Sequence, residues 1–265
     1  MKPFFDVTYA PGPGQLSDEV RADIAQAPAL RVTDISHRGP EFTVLSKKAV
    51  EGLREFFNIP SEYEILFSSS ATDVWTIATH NLIENAAFHF VNGNFSGAFA
   101  RTVKGFGKKQ YIDEVEWGTQ NDFTAAIPPD ADLVTVCFNE TSTGVMASNA
   151  DIAGLKATHP DKILAVDLTS IAGVWDFNIK DADLWYFSVQ KAMGLPAGLS
   201  VMIVSPQAME KAKKLGEKQP IGYFNLPAMQ AKMAGKYQTL PTPNILNIYL
   251  LGQQLERWNS AGGVA

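Results

Sequence analysis

Lys191 occupies the position in this chain that most suggests covalent chemistry. It follows the strongly apolar run 184–189 and Gln190. A lysine at the end of so apolar a segment is poorly hydrated, and poor hydration favours the neutral, nucleophilic amine that forms Schiff bases with carbonyl compounds. A lysine whose stem lies on apolar residues while its amine reaches solvent gives the same pattern, and for a single lysine this is the commoner case.

Two further groups of residues follow predicted strands. Asp167 ends the apolar run 163–166, where a carboxylate can hold a cationic ligand atom, although such a residue more often belongs to an ordinary turn. Ser70, Ala71 and Thr72 lie in a strand-to-helix turn. The backbone N–H groups of such a turn, aided by the helix dipole, can bind an anion. A plain helix N-cap explains the same residues equally well.

The combination of these groups is more informative than any one of them. Asp167 and Lys191 are 24 residues apart, which leaves room for a short strand and its turns before the chain re-enters the sheet nearby. Both residues and the turn 68–73 can then lie at one edge of the sheet. A lysine, a carboxylate and an anion-binding turn match the aldehyde, the ring nitrogen and the phosphate of pyridoxal phosphate. The residues therefore predict a site for that cofactor.

Short β-rich runs alternate with helical stretches along the chain. Strands are predicted over 63–67, 87–91, 109–112, 133–138, 163–167, 184–189 and 200–204, and helices over 45–57, 73–85, 95–106, 151–158, 206–215, 226–237 and 245–258. This alternation is typical of βαβ units, and the continuous apolar strands indicate a sheet covered on both faces. The predicted fold class is α/β, a three-layer α/β/α domain with a mainly parallel seven-stranded sheet. Ligands bind beyond the carboxyl ends of the strands in such sheets.

The composition argues against some classes of binding partner. The chain of 265 residues carries 22 Lys and Arg against 28 Asp and Glu, a net charge of −6, so it lacks the basic field that nucleic acids or anionic membranes attract. The single cysteine, Cys137, excludes an internal disulfide and a thiolate zinc cluster, and its apolar strand predicts a small buried side chain. We expect no metal site. The sequence shows neither a signal peptide nor a membrane span, which predicts a cytoplasmic protein.

Several motifs spread over the whole chain occur in the order of a known family. They are Gly12-Pro13, Ser36-His37-Arg38-x-x-Glu41-Phe42, Asn139-Glu140-Thr141, Asp167-x-x-Ser170, Gln190-Lys191-x-x-Gly194-x-Pro196-Ala197-Gly198, Thr242-Pro243 and Gly262-Gly263-Val264-Ala265. In these motifs the chain resembles the phosphoserine aminotransferases, class V members of the fold type I enzymes that use pyridoxal phosphate. The resemblance implies amino transfer from glutamate to 3-phosphohydroxypyruvate, giving O-phosphoserine and 2-oxoglutarate in serine biosynthesis.

The resemblance also implies roles for residues around the cofactor. Lys191 corresponds to the lysine that forms the Schiff base and moves the α-proton of the substrate, and Asp167 corresponds to the partner of the pyridinium nitrogen. The other cofactor positions are Ser70, Ala71 and Thr72 at the phosphate, Phe95 stacked on the ring where the family usually has tryptophan, Thr141 at the phenolic oxygen and Gln190 near the phosphate.

Three more positions carry implied roles outside that set. His37 and Arg38 correspond to a pair that holds the distal phosphate or carboxylate of the substrate, and the planar guanidinium suits such oxyanions. On the residues alone, His37 equally fits a loop and Arg38 a surface charge. Thr242 corresponds to a residue that reaches the phosphate of the neighbouring subunit, which implies a homodimer with shared active sites.

The chain departs from the family at some positions. Pro241 precedes Thr242 where the family has asparagine, and Leu195 is an additional residue in the lysine loop. The family's C-terminal small domain, which binds the substrate α-carboxylate, is not present in this sequence. We therefore expect residues 1–15 to associate with that small domain and residues 16–265 to form the cofactor-binding large domain, ending in a long helix. Whether this chain is catalytic by itself is left open by the sequence.

Alternative functions remain at this point. One is a class V aminotransferase with a different keto-acid acceptor, and a weaker one is a desulfurase, because the single thiol is predicted to be buried. A nucleotide-dependent reductase is disfavoured, since neither Gly12-Pro13-Gly14 nor Gly93 and Gly97 form a Gly-x-Gly-x-x-Gly turn after a first strand. The last alternative is a truncated, non-catalytic module for cofactor binding or dimerisation.

Overall fold

A computed structural model describes residues 10–218 and 222–263 of the chain. The N-terminal part of segment 1–15 and the final Val264 and Ala265 of the glycine-rich motif lie outside these ranges. The helices are α1 Asp18–Gln26, α2 Pro40–Phe56, α3 Ala71–Leu82, α4 Asn94–Gly105, α5 Asn149–Thr158, α6 Pro206–Lys218, α7 Leu226–Met233 and α8 Ile245–Ser260. The strands are β1 Glu64–Ser68, β2 Ala86–Val91, β3 Lys109–Glu114, β4 Ala131–Cys137, β5 Asn139–Glu140, β6 Val145–Met146, β7 Ile163–Asp167, β8 Leu184–Ser188 and β9 Ser200–Val204.

Seven of these strands form one mainly parallel sheet, as predicted. Its order is β1-β9-β8-β7-β4-β2-β3, and the short strands β5 and β6 pair separately as an antiparallel hairpin. Strands β8, β7, β4, β2 and β3 run parallel to one another, whereas β9 is antiparallel to both β1 and β8. The carboxyl ends of the parallel strands therefore lie along one edge of the sheet.

Helices cover both faces of this sheet. Consecutive side chains of a strand point to opposite faces. On β8, Tyr186 hydrogen-bonds to Trp75 of α3, while the next residue, Phe187, packs against Phe57 at the end of α2 with ring centroids 5.8 Å apart. Helices α3 and α2 thus flank opposite faces. The predicted three-layer α/β/α architecture is confirmed.

The central strands are buried along their whole length. Every residue of β7, β8 and β9 is buried, as expected for strands covered by helices on two sides. Burial of these apolar residues supplies the main driving force for folding and fixes the ends of the strands rigidly. In the described parts of the chain, no helix has the length and apolar character to span a bilayer.

The helices differ from the prediction mainly in the first part of the chain. Helix α1 was not predicted, because its sequence is largely polar and only Val20 is buried. Helix α2 begins at Pro40 and not near residue 45, since Gly39 is extended at the N-cap and proline is well suited to the first helical position. Helix α7 also differs, since it ends at Met233 and not near residue 237.

Candidate active site

A cleft lies at the carboxyl ends of β4, β7 and β8. Strand β4 ends at Cys137, strand β7 ends at Asp167, and Lys191 follows the end of β8 by three residues. The cleft contains about 560 Å³ of empty space, including the part open to solvent. Its lining includes all the residues predicted for the cofactor except Thr242, namely Ser70, Ala71, Thr72, Phe95, Thr141, Asp167, Gln190 and Lys191.

The amine of Lys191 points into this cleft. Its Nζ donates a hydrogen bond to Oγ1 of Thr141 at 3.3 Å and lies 4.7 Å from the centre of the Phe95 ring. Among the described residues, no carboxylate forms an ion pair with it. An amine without a counter-ion in a partly dry cleft is available for an incoming electrophile or anion.

The chain packs closely around the lysine stem. The N–H of Gly14 donates to the carbonyl of Gln190 at 2.7 Å, and a Cβ added to Gly12 would lie 2.9 Å from Cγ of Lys191. The described end of the N-terminal segment therefore lies against the lysine loop. The additional residue of that loop, Leu195, is fully buried, and its N–H donates to the carbonyl of Val189 at 3.1 Å.

Asp167 provides a buried carboxylate beside the cleft. It is 7% exposed, and its Oδ1 accepts the N–H of Thr169 at 2.8 Å. Burial raises the pKa of Asp167 above its usual range, while the hydrogen bond from the N–H of Thr169, the charge of Lys191 and the nearby hydroxyl of Tyr186 act in the opposite direction. The surrounding groups thus favour the ionised form against the cost of its burial.

The turn before α3 is an N-cap, and one of its N–H groups is left without a partner. Ser70 is an N-cap whose hydroxyl accepts the N–H of Asp73 at 3.2 Å, and the Asp73 carboxylate accepts the N–H groups of Ser69 and Ser70. The N–H of Ala71 donates to the hydroxyl of Ser188 at 2.7 Å. Within the described residues, the N–H of Thr72 has no hydrogen-bond partner. The exposed Thr72 and the positive end of α3 are therefore the part of this turn that remains free for an anion.

Glu140 holds together the segments next to the cleft, a role that was not predicted from the sequence. This fully buried carboxylate accepts hydrogen bonds from the N–H groups of Phe95 at 3.0 Å and Ser96 at 2.9 Å, and from the Ser142 hydroxyl at 2.7 Å. Burial acts to raise the pKa of Glu140, but these hydrogen bonds outweigh it and the pKa is lowered. A Cβ at Gly93 would lie 2.5 Å from Cγ of Glu140, so glycine is required at this contact.

Other polar residues of the cleft were also missed as site residues. The amide of Asn139 donates to the Ser170 hydroxyl at 2.7 Å, and that hydroxyl donates to the Asn139 carbonyl at 3.0 Å. Trp75, Thr169 and Ser188 complete this group of lining residues. Asn139 and Ser170 belong to the family motifs, and each follows a strand, β4 or β7. Their position after a strand could have identified them as site residues.

Three predicted site residues lie outside the cleft. The guanidinium of Arg38 donates to the carbonyls of Thr239 at 2.6 Å and Leu240 at 2.9 Å. His37 packs edge-on against Phe42. Thr242 lines a separate small depression together with Ser69 and Gly198, behind the turn that precedes α3.

Cys137 differs from its predicted surroundings. The sequence predicted a buried side chain within a strand, but β4 ends at this residue, which is partly exposed and lines the cleft. Loss of solvent nevertheless raises the pKa of the Cys137 thiol, and the nearby carboxylates of Asp167 and Glu140 act in the same direction. Such a thiol is a weak nucleophile.

The residues of the cleft fit pyridoxal phosphate. Lys191 offers an amine without a counter-ion, Asp167 a buried carboxylate, and Thr72 an unpartnered N–H at a helix N-terminus, which are the three contacts that this cofactor uses. Thr169 adds a buried hydroxyl without a partner in the described ranges. In the same ranges, no group of three or more His, Cys, Asp or Glu residues is placed to hold a metal ion.

This fold and this site define a class V aminotransferase. Residues 10–265 match the family described as Aminotransferase class-V, and the chain belongs to that family. It is a transferase that depends on pyridoxal phosphate.

The similar proteins include phosphoserine aminotransferases. The chain is 32% identical to the phosphoserine aminotransferase of Corynebacterium glutamicum (strain R) over 98% of its length, and 29% identical to that of Rhodococcus opacus (strain B4), also over 98%. It spans 68% and 69% of those two proteins. The crystal structure of a phosphoserine aminotransferase from Cytophaga hutchinsonii superposes with a TM-score of 0.91 at 35% identity, covering 94% of this chain and 70% of the other. An aspartate aminotransferase from Thermus thermophilus, with a TM-score of 0.79 and 21% identity over 95% of this chain and 70% of the other, shares the fold.

Proposed function

We propose that this aminotransferase moves the amino group of glutamate to 3-phosphohydroxypyruvate, yielding 2-oxoglutarate and O-phosphoserine in serine biosynthesis. The observation that carries the proposal is the cleft in which Lys191 and Asp167, at the ends of neighbouring strands, face one space. The choice of acceptor is supported by the names of the similar proteins, which include the structural relative at 35% identity. Motifs at His37, Arg38 and Glu41 support the same choice.

The cofactor, when bound, supplies an electron-accepting ring that stabilises negative charge at the α-carbon of the substrate. In our proposal Lys191 removes and returns the proton at that carbon, since its amine lies in the cleft without a counter-ion. Asp167 pairs with the ring nitrogen, and Phe95 covers a face of the ring. Thr141 donates to the phenolic oxygen. The turn of Ser70, Ala71 and Thr72 holds the phosphate through the free N–H of Thr72, together with Gln190.

We also propose a homodimer with shared sites. Arg38 binds the carbonyls of Thr239 and Leu240, so it holds the segment that leads to Thr242. His37, Arg38 and Thr242 all lie outside this chain's own cleft, which supports a role toward the cleft of a second copy.

The proposal also covers domain organisation and compartment. Residues 1–15 associate with a small domain, and residues 16–265 form the large domain. The cytoplasm is the expected compartment.

An assay with competing acceptors tests the proposed reaction. With glutamate as donor, kcat/KM for 3-phosphohydroxypyruvate should exceed that for pyruvate and glyoxylate by at least about a hundredfold, because a dedicated anion site adds a charge-assisted contact. Equal values would support a different class V acceptor. Light scattering at several protein concentrations tests the dimer separately.

Covalent mapping tests the role of Lys191. Borohydride treatment of protein loaded with pyridoxal phosphate, followed by peptide mass mapping, should place the label on Lys191, and Lys191→Ala should show neither label nor turnover. A label on another lysine of the loaded protein would refute the assignment. Lys180, an exposed residue of the short 3₁₀ helix Ile179–Asp181 that does not line the cleft, serves as the matched Lys→Ala control.

A further inference from the structure

The lysine loop, residues 189–199, is held to helix α8 by one buried side chain. Nδ2 of Asn247, in the first turn of α8, donates to the carbonyl of Pro196 at 2.9 Å and to that of Ala197 at 3.0 Å. Asn247 is fully buried. In the described ranges, neither carbonyl accepts a hydrogen bond from another group of the protein. Both carbonyls therefore depend on this amide for their hydrogen bonds.

The surroundings fix the orientation of the Asn247 amide. A carbonyl oxygen can only accept, so the amide must turn its NH₂ group toward Pro196 and Ala197. Its Oδ1 is then buried, without a partner in the part of the chain that the structure describes. A buried acceptor without a partner is unfavourable. An asparagine at this position is thus explained by its contact with the loop rather than by its contribution to α8.

Helix α8 is a rigid base for this contact. The N–H of Asn247 donates to the side chain of the N-cap residue Asn244 at 3.1 Å, and Leu250 and Leu251 in the next turn are fully buried. Gly198 allows the loop to approach the helix closely. Its φ is +111°, which favours glycine, and a Cβ there would lie 3.0 Å from Nδ2 of Asn244. The end of the loop is therefore packed directly on the helix.

Two hydrogen bonds inside the loop connect its second half to the lysine. The N–H of Gly194 donates to the carbonyl of Lys191 at 2.9 Å, and the N–H of Leu195 donates to the carbonyl of Val189 at 3.1 Å. The first residue held by Asn247 comes directly after Leu195 in the chain. The position set at α8 is thereby passed to the main chain on which the lysine side chain is carried.

We propose that Asn247 is a positioning residue for Lys191. By holding the second half of the lysine loop on α8, it keeps the amine where it meets the aldehyde of pyridoxal phosphate. The inference rests on the proposed role of Lys191 and is independent of the amino acceptor. Asn247 does not line the cleft, so it acts through the loop and not by contact with the cofactor.

The first test uses the protein without cofactor. Asn247→Leu nearly conserves size and removes the donor, so amide hydrogen exchange at Gly194 and Leu195, followed by NMR, should become at least about tenfold faster. Asn259→Leu is the matched control, because Nδ2 of Asn259 lies near the other end of α8 and donates to the carbonyl of Gly52 at 3.1 Å. It should leave exchange in the loop unchanged. Unchanged exchange in Asn247→Leu would overturn the proposal.

The second test measures how well Lys191 takes up pyridoxal phosphate. Absorbance titration gives the Kd, and borohydride treatment after a short exposure gives the amount of label on Lys191. Asn247→Leu should weaken binding about fivefold and reduce the label by a similar factor, since the amine is held less closely in place. Asn259→Leu should change neither. Equal effects of the two variants, or no effect of Asn247→Leu, would show a merely structural contact and would overturn the proposal.

Urea unfolding measures the stability of each variant. If Asn247→Leu does not fold, Asn247→Ser carries both tests, because a serine hydroxyl has one proton and cannot donate to both carbonyls. It must then show faster exchange and weaker binding than the Asn259→Leu control. Failure of the proposed function appears in the unmodified protein, as a label on a lysine other than Lys191. Failure of this inference appears in the comparison between the variants.

Discussion

The amine of Lys191 lies 4.7 Å from the centre of the Phe95 ring, within reach of a cation–π interaction. The same amine contacts Thr141, so an aromatic face and a hydroxyl are its recorded neighbours in the cleft. No ion pair holds the amine among the described residues, so it remains free to meet a ligand in the cleft.

Phe95 is expected to contribute through its aromatic face and not only through its volume. Phe95→Leu should weaken pyridoxal phosphate binding by about fivefold to tenfold, whereas Phe95→Trp should stay within about twofold of the unmodified protein, because both aromatic rings can stack on the cofactor. Absorbance titration gives the Kd values. Leucine nearly conserves the apolar volume, so equal binding by Leu and Trp would show that the ring face is unimportant.

Glu140 should stabilise the fold in a pH-dependent manner. The pKa of Glu140 is lowered in the folded protein, so its contribution is fully present above the pKa of an unfolded glutamate and is lost as the pH falls through the folded value. Glu140→Gln should reduce the free energy of unfolding by about 2 kcal/mol near pH 7. The difference from the unmodified protein should narrow below about pH 4.3.

Urea unfolding at a series of pH values measures this effect. Glu62→Gln is the matched control, since this glutamate is exposed and forms no hydrogen bond or ion pair with another described residue. A difference between Glu140→Gln and the unmodified protein that stays constant across the pH range would contradict the role of the charge.

Gly12 should be required for the position of the lysine stem. In Gly12→Ala the new Cβ would lie 2.9 Å from Cγ and 3.1 Å from Cε of Lys191, so the flexible stem must move. We expect weaker binding of pyridoxal phosphate with little change in the free energy of unfolding. Gly154→Ala is the control, because nothing lies within 4 Å of its added Cβ in the middle of α5. It should leave binding unchanged and stabilise the protein by about 0.5–1 kcal/mol.

Cys137 should react slowly with alkylating reagents despite its place in the cleft. Its pKa is raised by loss of solvent, so little thiolate is present at neutral pH. Iodoacetamide should modify the folded protein at least about tenfold more slowly than the urea-unfolded chain near pH 8, and bound cofactor should slow it again. Equal rates would show a reactive thiol and would revive the desulfurase alternative.

The sheet was largely predictable because its strands are continuous apolar runs. The predicted bounds 163–167 and 200–204 match β7 and β9 residue for residue. Helix α1 was not predictable in this way, since a polar helix that buries one side chain leaves no periodic signal. Elements with a clear hydrophobic pattern in the local sequence could therefore be predicted, and elements without one could not.

The site was predictable only where its residues follow strands. Asp167 and Lys191 could be placed at one edge because parallel strands end together. The support provided by Glu140 and Asn247 could not be predicted, because it depends on contacts between distant segments. Asn247 and Ala197 are 50 residues apart in the sequence, and no local spacing relates them.

Strand β9 runs against β8, so the loop that carries Lys191 joins two adjacent strands and is closed at its base by the N–H of Val189 bonding to the carbonyl of Leu199 at 3.1 Å. The additional Leu195 is also held at this base, because its N–H donates to the carbonyl of Val189 and its side chain is buried. Length variation here should therefore alter the shape of the entrance more readily than the location of the amine.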